Sequence, residues 1–279
     1  MSATADQGRY DRAARPGVLP VGLADALRAM AEEIAELLRG APDTGAPLPG
    51  SQWTVGEAAA HLAQANELMA QVAAGQSRSH GDGTPQSIAA ANERALAAFG
   101  ERGAEPLAAM IVTQADAYVD AVAGRPTGEM LMTPMGPMNR AVLGSYLLTH
   151  MLGHGYDIAR AFGRPHGVTP DRVALALPFM IEAMPRVTAA AATAGLNARY
   201  AVRLWGGGGF GVTFTEGAAT ASRHHPDRPD CTISIEPVTF LLMALGRCSP
   251  VGAMARGRVF AWGRRPWMGP RFPRYFTAP

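Results

Sequence analysis

The amino-acid sequence predicts two domains, a helical domain of four long helices followed by a small α+β domain. Three observations lead to this class. Apolar residues recur at helical spacing through long segments up to about residue 165. Beyond Gly195 the pattern changes to short β-type runs separated by turn residues. Clusters of glycine and proline punctuate the chain between these segments, where a helix or strand would have to stop.

Taken in order, residues 1–17 read as a flexible tail, 18–165 as the helical bundle, 166–196 as a bridging helix and 197–279 as the α+β domain. From Leu19 to Arg39 the residues Leu23, Leu27, Met30, Ile34, Leu37 and Leu38 fall on one helical face, and Gly40 with Pro42 supplies the stop. Thr54 and Glu57 have capping-box spacing, so a second helix starts after Trp53-Thr54 and runs to about Ala74. Gln76 to Pro85 is a polar loop in which His80 is expected to be solvated. A third helical region covers Ser87 to Ala123, with a break or kink at Gly100, Gly103 and Pro106. The Met- and Pro-rich stretch Met130 to Met138 reads as a loop, either ordinary packing or an adaptable apolar wall beside a pocket. The fourth helix runs from about Asn139 to Phe162. A fifth begins at Thr169-Pro170 and extends to Ala194. Strands are expected at Tyr200–Trp205, Phe210–Phe214, Thr220–Arg223, Cys231–Ile235 and Val259–Trp262, with a helix from Pro237 to Leu245. Gly206 to Gly209 lacks the residues of a phosphate loop and reads as a hairpin turn.

Composition narrows the chemistry. All 25 basic side chains are arginine, which excludes a Schiff-base lysine and a Walker-type lysine. The net charge of +2 is small and its arginines are dispersed, so no nucleic-acid partner is expected. No apolar stretch reaches membrane-spanning length and the N-terminus lacks a signal-peptide core, so the expectation is a cytoplasmic protein without a membrane partner. The Ala-, Arg-, Gly- and Pro-rich usage suits a high-GC, actinobacterial source. Cys231 and Cys248 form no C-x-x-C unit and are expected as free thiols.

The fourth helix carries His150 and His154, whose spacing places their imidazoles one turn apart on the face shared by Leu143, Leu147 and Ile158. The pair reads either as metal ligands or as satisfied core histidines. His61, two turns into the second helix on its apolar face, supplies a third nitrogen if the two helices face one core. Three neutral imidazoles suit a divalent metal, zinc best, with open positions of the catalytic type. Asp157, one turn beyond His154, is either a carboxylate that orients an imidazole or a surface group.

Two stretches carry a family resemblance. Trp53-Thr54-Val55-Gly56-Glu57 with Ala60-His61-Leu62, and His150-Met151-Leu152-Gly153-His154-Gly155-Tyr156-Asp157-Ile158, resemble the mycothiol-dependent maleylpyruvate isomerase family within the DinB-like metal-dependent superfamily. Asp230-Cys231-Thr232-Ile233-Ser234, Glu236-Pro237-Val238-Thr239-Phe240 and Gly246-Arg247 are similar to the sterol-carrier-like domain of those proteins. The resemblance implies a DinB-like four-helix bundle with a sterol-carrier-like C-terminal domain, and a divalent metal at His61, His150 and His154. It also implies mycothiol as the low-molecular-weight thiol and a small-molecule electrophile as acceptor. Arg247, at the Gly-Arg step, is then the candidate for contacting the thiol, or forms a structural ion pair. The isomerases often carry glutamate where this chain has His150, whereas many DinB-like thiol transferases have histidine; this turns the expectation from isomerisation toward thiol transfer. Other classes left open are a lipid- or small-molecule-binding protein with a degenerate metal site and a metal-hydroxide hydrolase. Monomer and homodimer are both compatible with the sequence.

Overall fold

The protein is described by a computed structural model covering residues 19–41 and 43–277. The expected tail, 1–17, and Pro42 at the first helix stop lie outside the described residues. The chain divides at Val168/Thr169 into two compact units.

The first unit is a helical bundle. Helix α1, Leu23–Arg39, buries Leu23, Leu27, Met30, Ile34 and Leu38, the face read from the sequence. Helix α2, Val55–Ala73, opens with the expected capping box: Thr54 Oγ1 accepts from the Glu57 amide at 3.2 Å, and Glu57 accepts from the Thr54 amide at 2.7 Å. The region expected as one kinked helix is two, α3 at Pro85–Ala98 and α4 at Ala104–Val122. The reason is local. Phe99 and Gly103 are extended, and Arg102 donates to the carbonyls of Leu96 and Phe99, closing the end of α3 before α4 begins.

The Met-rich stretch is a β-hairpin rather than a loop, β1 at Met130–Thr133 and β2 at Gly136–Asn139, paired antiparallel. Its turn is closed by Thr133 Oγ1 donating to the Gly136 carbonyl at 2.7 Å. Four-residue strands offer too little period-2 alternation to stand out in a sequence. Helix α5, Arg140–Ala161, follows directly, with Asn139 accepting from the Val142 amide at 2.9 Å.

Helices α4 and α5 each pack against both α1 and α2, which makes the four-helix arrangement. Close approach of α5 to α1 depends on glycine. A Cβ on Gly144 would lie 2.8 Å from the Tyr118 hydroxyl and 3.0 Å from Leu23. Arg140, 1% exposed, ties the lower end together: it donates to the carbonyls of Ala73 and Pro126, each at 3.0 Å, and pairs with Glu129. The end of α2 is thereby fixed to the start of α5.

The second unit begins with α6, Pro170–Ala183, capped by Thr169 as expected. The helix does not continue to Ala194. A 3-10 turn at Met184–Val187 follows, and Pro185 within it withholds the amide that an α-helix needs. A short α7, Ala190–Thr193, leads into the sheet. Strands β3 Ala198–Leu204, β4 Gly209–Thr215, β5 Ala218–Ser222, β6 Cys231–Ile235 and β7 Val259–Trp262 form one sheet of order β5-β4-β3-β6-β7. All neighbours are antiparallel except β3 and β6. The Gly206–Gly209 run is the β3–β4 hairpin turn; a Cβ on Gly209 would meet the Val202 carbonyl at 2.2 Å. Helix α8, Pro237–Ala244, matches the expected helix, while the short α9, Pro250–Ala255, was not foreseen. Tyr200, Phe210, Phe214, Phe240 and Phe272 form the aromatic core of this unit. Among the described residues no helix is long and apolar enough to cross a membrane.

Candidate metal centre

The three candidate histidines meet in the first unit. His61 projects from α2, and His150 and His154 from successive turns of α5. Each offers one ring nitrogen to a cluster whose ligand atoms all lie within 4.8 Å of one another. His61 Nε2 and His150 Nε2 are 2.9 Å apart. The ring centroids form a near-equilateral triangle of 4.8, 5.0 and 4.7 Å, with every pair meeting edge to face.

Helix placement explains the convergence. His61 lies two turns into α2, His150 and His154 lie one turn apart on α5, and these two helices pack against each other. His61 is 6% exposed. Burial, and secondarily the nearby charge of His80, lowers its pKa to about 4. Near neutral pH its imidazole is therefore neutral, with one ring nitrogen free of a proton, the form a metal requires. Three imidazole nitrogens at this spacing fit a divalent metal ion.

Trp53 and Asp157 flank the cluster. The Trp53 ring lies 5.1 Å from that of His61 and stacks on that of His154 at 6.0 Å, inclined 22°. Trp53 thus forms an apolar wall against two of the imidazoles. Asp157 Oδ2 is 3.7 Å from His154 Nδ1, with both side chains largely buried. That is ion-pair range and longer than a direct hydrogen bond.

A cleft of about 180 Å³ opens beside His61 and His150, and its wall is polar and apolar in nearly equal parts. Tyr146 stands one turn before His150 and lines it; burial pushes its hydroxyl pKa up to about 12, so it remains a proton donor. The expectation that His80 is solvated is corrected here. His80 is half-buried on the cleft wall, with Nε2 2.8 Å from Asn92 Oδ1. The loop folds back because α3 lies beside α2, where Gln64 Nε2 donates to the Ala95 carbonyl at 3.1 Å. The spacing of Tyr146 to His150 was readable in the sequence; the contact between His80 and Asn92 was not.

Arg247 lies in the second unit, three residues beyond α8, where its Nη1 donates to the Leu245 carbonyl. Cys231 and Cys248 are free, as expected.

Residues 23–159 match the family model of the mycothiol maleylpyruvate isomerase N-terminal domain, and residues 181–261 match that of the SCP-2 sterol transfer family. The crystal structure of the mycothiol-dependent maleylpyruvate isomerase is similar at a TM-score of 0.50 and 14% identity, covering 87% of this chain and 93% of that one. A mutant of that enzyme gives a TM-score of 0.53 at 13% identity and the same coverage. A stereoselective inverting sec-alkylsulfatase from Pseudomonas sp. is similar over 49% of this chain at a TM-score of 0.33 and 14% identity, and the chain spans only 24% of its length. No curated protein matches the sequence. The fold is that of the isomerase, a helical N-terminal domain followed by a sterol-carrier-like domain.

Proposed function

The chain belongs to the mycothiol-dependent maleylpyruvate isomerase family, and on that premise we propose that it is a metal- and mycothiol-dependent enzyme that transfers or adds the thiol to a small electrophile. The observation that carries the reading is the convergence of His61, His150 and His154 beside an open cleft. Zinc is the proposed ion, because three imidazole nitrogens are its usual catalytic donor set. A divalent metal held there supplies the positive charge that favours the thiolate, the nucleophilic form, at neutral pH.

The residues divide the remaining work. His61, kept neutral by burial, needs no proton removed before it ligates. Trp53 shields two of the imidazoles from water. Asp157 is assigned to orienting His154 through its Nδ1. Arg247 is assigned to the thiol's anionic groups, since the chain has no lysine. With histidine rather than glutamate at 150, none of the three ligands offsets the charge of the ion, which favours thiolate formation and supports transfer over isomerisation.

The test is metal-dependent consumption of mycothiol, compared with glutathione, over a panel of aryl halides, α,β-unsaturated carbonyls and epoxides. Consumption that follows metal content and prefers mycothiol is the expected result. Full activity in metal-free protein, or no thiol consumption with any acceptor, would overturn the proposal.

A further inference from the structure

We propose that His80 carries the proton of this reaction, taking it from the thiol and delivering it to the departing group. The inference rests on the thiol-transfer reading above and adds a residue from outside the metal cluster. His80 shares the wall of one cleft with His61 and His150, so it stands where a thiol and its acceptor would meet.

Its geometry is that of a positioned imidazole. One ring nitrogen, Nε2, lies 2.8 Å from Asn92 Oδ1. An amide oxygen only accepts, so Nε2 carries the hydrogen and the lone pair resides on Nδ1. Nδ1 makes no hydrogen bond among the described residues. Asn92 is itself on α3, whose C-terminal end Gln64 and Arg102 hold through the carbonyls of Ala95 and Leu96. The other charged or titratable groups on the cleft wall are His61, His150, Glu67, Arg78 and Tyr146. Glu67 accepts from Gln71 at 2.9 Å, and Tyr146 is held protonated.

The step balances without a further reagent. As the thiol proton passes to Nδ1, sulfur keeps the S–H electron pair and uses it to form the S–C bond. The bond from carbon to the leaving group breaks, its pair departing with that group, and Nδ1 returns the proton to an oxygen leaving group such as an opened epoxide, or to water where a halide leaves. Where the acceptor is a conjugated double bond, the proton goes instead to the carbon that received the π pair. In both cases His80 ends neutral, ready for the next turnover.

The experiment uses metal-loaded full-length protein, mycothiol, and whichever acceptor of the panel gives the fastest metal-dependent rate. His80→Gln retains an amide donor for Asn92 but no basic nitrogen. Its kcat is expected to fall roughly 10²- to 10⁴-fold, the usual contribution of a positioned acid–base group, with metal content unchanged. His80→Ala should be equally slow, and added imidazole should restore part of its rate. Nitrogen-15 NMR of the ring should find the hydrogen on Nε2, and Asn92→Ala should redistribute it. Wild-type kcat in His80→Gln overturns the proposal while leaving the thiol-transfer reading intact. Metal loss in that variant, or a slow His80→Ala that imidazole does not accelerate, assigns His80 to structure instead. If no acceptor consumes thiol, both readings fall.

Discussion

His61 Nε2 and His150 Nε2 face each other across 2.9 Å although 89 residues separate them in the chain. Two protonated imidazoles would repel at that distance, and burial already holds His61 neutral. Two neutral imidazoles at that distance either share one hydrogen or turn both nitrogens to one cation, and metal removal tells the two apart. Chelation should lower the melting temperature, because an ion bound only to the folded state stabilises it by mass action. His61→Ala should abolish stoichiometric metal binding and leave the far-ultraviolet circular dichroism helical. A variant that binds metal as tightly as the wild type would exclude His61 as a ligand.

Asp157 lies beside His154 on α5. If it orients that imidazole, Asp157→Ala should weaken metal affinity by about 10- to 100-fold without changing stoichiometry. Competition with a chromogenic chelator measures this, and unchanged affinity would leave Asp157 a role in the helix alone.

Arg140 is nearly inaccessible and donates to carbonyls at the end of α2 and after α4. Truncation to alanine loses those bonds and opens a cavity, at an expected cost of roughly 2–4 kcal/mol. Lysine should recover only part, since a point charge cannot reproduce the guanidinium fork. Urea unfolding midpoints test both. Because α2 carries His61 and α5 carries His150, metal affinity should fall with stability.

The second unit has its own buried charge. Burial alone would raise the Asp230 carboxyl, but hydrogen bonds from Arg264 and the Arg199 amide, with the charges of Arg264 and Arg265, hold it below the usual carboxylate range. A carboxyl lowered in the folded state contributes stability that is complete above its unfolded pKa of about 3.9. That contribution is lost as pH falls through the folded value. Asp230→Asn should therefore destabilise the protein at pH 7 and narrow its distance from the wild type below pH 4. Denaturant unfolding at both pH values decides it; a gap that stays constant with pH would show that the charge contributes nothing.

Cys231 is fully buried, and burial raises its pKa to about 11, whereas Cys248 is partly exposed. A disulfide reagent at pH 8 should titrate one thiol in the native protein and both in denaturant. Cys231→Ser should leave thiol transfer unchanged, since the proposed nucleophile comes from mycothiol. Rapid reaction of both native thiols would contradict this placement.

What the sequence determines by itself is whatever depends on neighbours along the chain. The capping box at Thr54 and Glu57, the apolar face of α1, the one-turn spacing of His150 and His154 and the run Cys231–Ile235 each follow from short-range geometry, and each is found. The break between α3 and α4 was visible as a cluster of glycines, but its extent was set by Arg102 reaching back to Leu96 and Phe99. The hairpin at Met130–Asn139 is not legible in the sequence, because its strands are too short to show a period. Tertiary structure alone decided that His61 meets the pair on α5, for two helices far apart in sequence are set in register only by their packing and by Arg140, which joins the end of α2 to the start of α5. It also decided that His80, in a polar loop, turns inward to Asn92 instead of outward to water, because the packing of α3 on α2 brings an amide acceptor within 2.8 Å.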